Sequence, residues 1–133
     1  MREILFRGKA THGLNAGDWI IGYYVKDFWK PSRCGHGIIP ICEERGGYCE
    51  VAPETVGQYT GLTDKNGKKI FEGDIVKMYL MDCTDVGYIR YNNGWCRFQF
   101  VDSCSVGYGF DDTDVMEVIG NIHDNPEFLK GGK

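Results

Sequence analysis

The stretch that decides the fold is Pro53–Lys77, which reads PETVGQYTGLTDKNGKKIFEGDIVK. Its polar middle contains Asp64, Asn66 and Gly67, residue types that accept the backbone angles of a tight turn. The apolar residues on either side of this turn predict the two strands of a hairpin. A glycine after the hairpin predicts a kink before a second strand, Ile75–Leu80.

Short strands are predicted on the N-terminal side of this hairpin. Gly17–Val25 is dense in aromatic and β-branched residues, and it is expected to pair with the earlier run Ile4–Lys9. Both strands are apolar enough to lie in a core. A third strand, Ile38–Cys42, contains Pro40, which has no N–H to donate, so this strand should be bulged or at a sheet edge. Tyr48–Val51 can return beside it.

The C-terminal side contains a second hairpin. Val86–Tyr91 and Trp95–Phe100 alternate in the manner of half-buried strands, and Asn92–Gly94 between them is typical of a tight turn. Val115–Asp124 predicts a closing strand. Asn125–Leu129 predicts a terminal turn.

The composition favours an all-β protein, because 14% of the 133 residues are aromatic and 19 are glycine. We predict two small β subdomains, residues 1–53 and 54–133. Four or five short strands between about Val56 and Ile122, bent at glycines, fit an SH3-like barrel in the second subdomain. Closure of a barrel would remove the exposed edges of so many short strands.

The formal net charge of −4 is unevenly distributed. Residues 1–51 hold seven Lys or Arg and six acidic residues, whereas residues 52–133 hold eight and thirteen. The chain therefore lacks the overall basic surface of a bulk nucleic-acid binder. A local basic face on the central hairpin is still open, formed by Lys65, Lys68 and Lys69. The alternative is a solvated lysine-rich turn.

Six cysteines would suggest disulfides if the protein were secreted. The segment Met1–Arg7 lacks the apolar region of a signal peptide, so we expect free thiols in the cytoplasm. The longest apolar run, Trp19–Val25, is too short to cross a bilayer, and no membrane association is expected. The six cysteines are Cys34, Cys42, Cys49, Cys83, Cys96 and Cys104.

No metal or cofactor is predicted. Cys34, His36, Cys42 and Cys49 could supply four zinc ligands, but seven and six residues separate the successive cysteines, and structural zinc sites usually contain a closely spaced cysteine pair. Buried thiols are the simpler interpretation. The sequence does not decide whether these four residues bind a metal.

No catalytic site is predicted either. His12, His36 and His123 fall on different predicted elements, and His123 and Asp124 are neighbours in a strand, so they should point to opposite faces. A solvated loop is favoured over a cation site for the acidic cluster of Asp111, Asp112, Asp114 and Glu117.

The aromatic residues are more numerous than one small barrel core requires. Some could lie on a surface that stacks on bases or grips a peptide, or they could fill the barrel and bury a subunit contact. The residues concerned are Tyr59, Tyr88, Tyr91, Trp95, Phe98 and Phe100. Tyr59 joins Lys65, Lys68 and Lys69 as the candidate nucleic-acid-binding set.

Several segments, in this order along nearly the whole chain, resemble the YopX family of phage and prophage proteins. These segments are Gly17–Trp19, Gly22–Tyr24, Val56–Leu62, Asp64–Gly67, Ile70–Val76, Val118–Ile122 and Asp124–Glu127. The resemblance implies an all-β protein with an SH3-like C-terminal barrel, made in the cytoplasm of the bacterial host. It brings no catalytic residues. The chain departs from the family pattern at Arg33–Cys49 and Asp102–Asp114.

These observations predict a non-enzymatic phage or prophage accessory protein. We expect it to form a homo-oligomer through β edges and aromatic patches, and to bind an unknown host or phage protein. The alternative is a nucleic-acid-binding module that uses the lysines of the central hairpin.

Overall fold

The computed structural model describes residues 3–11, 16–26, 36–41, 49–81, 83–109 and 115–130. The chain divides into two compact units, Met1–Tyr59 and Thr60–Lys133. The division falls inside a strand, between Tyr59 and Thr60. Each unit is described by itself.

The first unit is an antiparallel sheet with the strand order β4-β3-β2-β1-β5. A single turn of 3-10 helix at Pro53–Thr55 precedes β5. The strands are β1 (Phe6–Lys9), β2 (Trp19–Lys26), β3 (His36–Pro40), β4 (Cys49–Glu50) and β5 (Gly57–Thr63), the last of which continues into the second unit.

The predicted pairing of the first two strands is confirmed, with Phe6 opposite Gly22 and Lys9 opposite Trp19. Alternation along β2 buries Ile20 on one face of the sheet. The buried core on that face consists of Ala10, Ile20, Ile38 and Val51. The prediction that the Pro40 strand is bulged or at a sheet edge is wrong, because β3 lies between β2 and β4 and pairs with β2 in continuous register. Pro40 is accommodated at the end of β3, which β4 does not reach, since β4 pairs with Gly37 and Ile38.

The second unit contains an antiparallel sheet with the order β10-β9-β8-β7-β11, together with the short strand β6. Its core consists of Ile70, Val76, Ile89, Phe100 and Met116. The elements are β6 (Lys69–Phe71), β7 (Asp74–Tyr79), β8 (Thr84–Asn92), β9 (Arg97–Val101), β10 (Gly107–Tyr108), β11 (Met116–Asn121) and α1 (Glu127–Lys130).

The central hairpin of the prediction is confirmed as β5 and β6. The N–H of Asp64 donates to the carbonyl of Lys68 over 2.7 Å, and Gly67 occupies the turn with φ of 83°. Gly73 has φ of 92° between β6 and β7, which confirms the predicted kink. Both backbone conformations favour glycine.

The all-β prediction is confirmed, since strands dominate and the helices of the described residues are one 3-10 turn and one α-helix of four residues. The closed SH3-like barrel is not confirmed, because the described strands form sheets that do not close. The outer edge of β11 receives a turn rather than a further strand: the N–H of Lys65 donates to the carbonyl of Met116 over 3.0 Å.

Two local predictions need correction. The terminal turn continues into helix α1, which starts directly after Pro126, a residue suited to a helix start. The second strand of the C-terminal hairpin begins at Arg97, not at Trp95. Asn92 Oδ1 accepts the N–H of Trp95 over 3.1 Å, and Cys96 has φ of 53°, so the turn is longer than Asn-Gly chemistry suggests.

Within the described part of the chain, no helix combines the length and the apolar character needed to cross a membrane.

Candidate interaction surfaces

The three lysines of the predicted nucleic-acid set differ in their surroundings. Lys65 and Lys68 are exposed in the β5–β6 turn, and Lys69 is half-buried at the start of β6. The Lys65 ammonium lies 4.1 Å from the centroid of the Tyr79 ring, and that of Lys77 lies 5.3 Å from it. Lys65 therefore makes an internal cation–π contact, which stabilises the turn on the sheet.

Tyr79 also connects β7 to β11. Its hydroxyl donates to Glu117 Oε1 over 2.7 Å, and Glu117 pairs directly across the ladder with Lys77. The hydrogen bond to Glu117, with lesser contributions from burial and the Glu117 charge, raises the pKa of Tyr79 above its ordinary value. The phenol is therefore held in its neutral, donating form.

The burial of Tyr59 removes it from the predicted nucleic-acid-binding set. Only 7% of its surface is exposed, and it belongs to the buried core. A base needs an open ring face on which to stack, and Tyr59 offers none.

Asp64 is the most heavily bonded side chain of the central turn. Its Oδ1 accepts the N–H groups of Asn66 and Lys68, each over 2.9 Å, and its Oδ2 accepts the N–H of Val118 over 2.9 Å. Burial raises the pKa of Asp64, but the three N–H donors and the Lys68 charge outweigh it and lower that pKa below its ordinary value. The site is structural.

The remaining aromatics divide between core and surface. Phe100 is buried, and Phe98 packs edge-on against Tyr91 with ring centroids 5.1 Å apart. Trp95 in the β8–β9 turn is 74% exposed and Tyr91 is 38% exposed. The prediction that some of these aromatics lie on a surface is confirmed for Trp95 and Tyr91.

The outer face of the first sheet carries an exposed apolar surface. Tyr23 on β2 lies directly opposite Ile39 on β3, and the N–H of Ile41 donates to the carbonyl of Ile21 on β2. Tyr23 is 55% exposed, Ile39 43% and Ile41 47%. These three residues are called the Tyr23 patch.

A basic end adjoins this face. Alternation places Trp19 on the same side of β2 as Tyr23. The Arg7 guanidinium lies 4.8 Å from the Trp19 ring centroid, and the Lys9 ammonium lies 5.7 Å from it. The outer face therefore combines apolar side chains with two cations.

Sequence reasoning missed the Tyr23 patch because it treated β2 as a core strand. The available signal was the run Trp19–Val25, which is apolar at nearly every position. In an antiparallel sheet with one face in water, the outward positions are normally polar. A strand that is apolar on both sides is typical of a sheet whose two faces are both packed against other protein.

The candidate metal ligands are only partly described. Cys34 and Cys42 lie outside the described residues. His36 Nδ1 shares a hydrogen bond with the Tyr24 hydroxyl, and Cys49 lies on β4. Among the residues that the structure does describe, no group of three or more His, Cys, Asp or Glu side chains could hold a metal ion.

Among the residues that the structure describes, the remaining titratable candidates do not form a catalytic group. His12 lies outside the described residues, as do three members of the acidic cluster: Asp111, Asp112 and Asp114. The backbone N–H groups of His123 and Asp124 donate to Asn121 Oδ1 over 3.0 and 2.9 Å. Asn121 in turn donates to Asp124 Oδ2 over 3.2 Å, so this segment forms a bonded turn after β11.

Comparison with known proteins supports the predicted resemblance. The chain is similar to protein EF1440 from Enterococcus faecalis, whose crystal structure matches with a TM-score of 0.53 and 25% sequence identity over 97% of this chain and 99% of that chain. No curated protein matches. A model of the YopX protein family matches residues 24–130. Since this match covers most of the sequence, the chain belongs to the YopX family.

Proposed function

We propose that this YopX-family protein is a non-enzymatic interaction module that self-associates, and that it serves as a phage or prophage accessory protein in the bacterial cytoplasm. The observation that carries the proposal is the Tyr23 patch. Tyr23 and Ile39 lie opposite each other on two paired strands, Ile41 follows directly after β3, and all three side chains are about half exposed. Contiguous exposed apolar surface is typical of contact sites.

The pattern of β2 supports a permanent covering for this surface. Its inward residue Ile20 fills the core, while its outward residues Ile21 and Tyr23 are also apolar. Covering the outward side chains would remove their apolar surface from water, which stabilises a complex by about 25 cal/mol for each Å² buried. A partner that presents a similar flat sheet face is the simplest match.

A second copy of this chain supplies such a face. In a two-fold symmetric dimer the same patch serves both partners, so Tyr23 of one copy can lie against Ile39 of the other. Stacked sheet faces separated by about 10 Å would then bury both patches. The Lys9 ammonium beside Trp19 would lie at the rim, where charged groups remain hydrated.

Sedimentation velocity on three proteins tests this proposal. The wild type is expected to sediment above the monomer mass, and Ile39→Lys is expected to sediment as a monomer with an unchanged far-UV spectrum. Met81→Lys is the matched control, because Met81 is a fully exposed apolar residue outside the patch. A wild type that is monomeric at every soluble concentration would refute self-association.

Nucleic-acid binding through the central turn is the second candidate. It is favoured by the exposure of Lys65 and Lys68, which give the turn positive charge although the chain as a whole has a net negative charge. It loses its aromatic member, because Tyr59 is buried. Phosphate contacts by lysine would show a steep fall in affinity with added salt, whereas protein contacts through the Tyr23 patch would tolerate salt.

A host or phage protein is a further proposed partner. An affinity pull-down from lysogenic cells, divided into nuclease-treated and untreated halves, separates the two classes of partner. A protein that is retained by the wild type after nuclease and lost with Ile39→Lys supports the interaction module. Material that is lost with nuclease alone favours the second candidate.

A further inference from the structure

The part of the β8–β9 hairpin nearest its turn, residues 87–101, differs in charge from the rest of the chain. It contains two arginines and no aspartate or glutamate, since the one acidic residue of the two strands is Asp85 near the start of β8, whereas the whole protein has a net charge of −4. Its turn carries Trp95, the most exposed aromatic side chain among the described residues. We propose that this hairpin binds single-stranded nucleic acid, with Trp95 stacking on a base and Arg90 and Arg97 binding phosphates.

Tyr91 and Trp95 are the exposed aromatic residues of the hairpin. Phe98 supports the Tyr91 ring at 5.1 Å with an angle of 76° between the ring planes. Tyr91 keeps 38% of its surface exposed, and Trp95 keeps 74%. An exposed aromatic residue in the turn and another near the end of β8 offer sequence-tolerant stacking surfaces to unpaired bases, whereas the bases of a duplex are stacked on each other and cannot reach them.

The two arginines share the other face of the hairpin. Arg90 and Asn92 alternate with Tyr91 along β8, and Arg97 pairs directly with Asn92, so both guanidinium groups project from the same side. Both residues are exposed. Gln99 Oε1 accepts hydrogen bonds from Arg90 Nη2 over 3.5 Å and from Asn92 Nδ2 over 3.1 Å. These bonds hold Arg90 next to Asn92, the residue that lies opposite Arg97.

Two glycines next to β9 make room for these arginines. A Cβ atom at Gly109 would lie 1.8 Å from Arg97 Nη2, and one at Gly107 would lie 3.3 Å from Arg90 Nη2. Any larger residue at Gly109 would displace the Arg97 guanidinium. The two cationic groups therefore lie along one glycine-lined stretch of backbone, and a phosphodiester chain complements two adjacent guanidinium groups.

The path of the bound strand follows from this arrangement. Trp95 lies in the turn that joins β8 to β9, and each of these strands carries one of the two arginines. A strand that crosses the turn stacks a base on Trp95, and its neighbouring phosphates then reach Arg90 and Arg97. This site is separate from the Tyr23 patch and from the lysines of the central turn.

Fluorescence anisotropy with labelled oligo(dT) and oligo(U) of about 16 nucleotides tests the site. The wild type is expected to bind at low salt, and Trp95→Ala is expected to weaken binding by about 5- to 100-fold. The double variant Arg90→Gln/Arg97→Gln is expected to reduce the slope of log affinity against log salt by about 0.7 for each arginine. Preference for one oligomer identifies DNA or RNA as the ligand.

Lys26→Gln is the matched control and should bind within about twofold of the wild type, because Lys26 lies at the exposed end of β2, outside every proposed site. The triple lysine variant Lys65→Gln/Lys68→Gln/Lys69→Gln separates this site from the central turn. Thermal unfolding of every variant ensures that a loss of binding is not a loss of fold. The proposal is overturned if the wild type binds neither oligomer saturably, or if folded Trp95→Ala and the double arginine variant keep wild-type affinity. Loss of binding only in the lysine variant would also overturn it.

Discussion

The carboxylate of Asp64 accepts a hydrogen bond from the backbone N–H of Val118 over 2.9 Å, although 54 residues separate them along the chain. The same carboxylate shapes the β5–β6 turn through the N–H groups of Asn66 and Lys68. One side chain therefore forms the turn and attaches it to the edge of β11. Hydrogen bonds to a charged acceptor are stronger than neutral ones, so this attachment is a major stabilising contact of the second unit.

Replacing this acceptor should destabilise the fold. We expect Asp64→Ala to lower the free energy of unfolding by about 2–4 kcal/mol, because three N–H donors lose a charged partner. Urea denaturation measures the change. Asp102→Ala is the matched control: Asp102 Oδ1 also accepts two turn N–H groups, those of Cys104 and Val106, but in an exposed turn. A cost for Asp64→Ala no larger than that for Asp102→Ala would contradict this role.

The lowered pKa of Asp64 predicts a loss of stability in acid. A carboxyl group with a lowered pKa in the folded state stabilises the protein above its unfolded pKa, about 3.9, and this stabilisation is lost as the pH falls through the folded value. Asp64→Asn removes this titration. Its unfolding free energy should therefore fall less than that of the wild type between neutral pH and about pH 3. Parallel pH profiles would be the contrary result.

The local hairpins could be predicted from the sequence, and the long-range tie could not. Turn chemistry at Asp64 and Gly67 indicates a reversal, and alternation indicates the strands beside it. The hydrogen bond from the Val118 N–H to Asp64 depends on which strand lies next to the turn in the folded protein. Sequence spacing does not indicate that neighbour. The predicted barrel is not confirmed, and sequence spacing is uninformative there too, because closure depends on how the ends of sheets meet.

Gly87 is required by close packing within β8. A Cβ atom at this position would lie 2.0 Å from the carbonyl oxygen of Val101 and 2.8 Å from Phe100 Cζ. We expect Gly87→Ala to lower the free energy of unfolding by about 1–3 kcal/mol. Gly94→Ala in the turn of the same hairpin is the control, since the only atom near its Cβ position is the Asn92 side-chain oxygen at 3.2 Å. Equal unfolding midpoints for the two variants would show that the strand tolerates the methyl group.

The hydrogen bond from Tyr79 to Glu117 predicts a measurable change in titration. Glu117→Gln removes the negative acceptor, so the pKa of Tyr79 should fall towards the ordinary tyrosine value. NMR titration of tyrosine Cζ carbons reports this pKa, and Tyr79→Phe assigns the resonance. A Tyr79 pKa that is unchanged by Glu117→Gln would mean that the bond does not control the phenol.

The candidate surfaces were harder to predict than the fold. Exposure of Trp95 depends on the four-residue turn, and burial of Tyr59 depends on packing that alternation alone does not specify. The apolar pattern of β2 indicates the Tyr23 patch, but the same pattern also fits a strand that lies in a core. Many residues that carry the YopX resemblance, such as Asp64, Gly67 and Asn121, shape turns in the structure. They indicate the fold rather than a binding site.

The most direct test of the central claim is a dilution series followed by the δ1-methyl signals of isoleucine in NMR spectra. If copies associate through the Tyr23 patch, the signals of Ile39 and Ile41 should move with protein concentration, while that of the buried Ile75 should not. In Tyr23→Lys the same signals should be independent of concentration. Signals that stay constant on dilution of the wild type, or concentration-dependent shifts confined to residues outside the patch, would contradict the account.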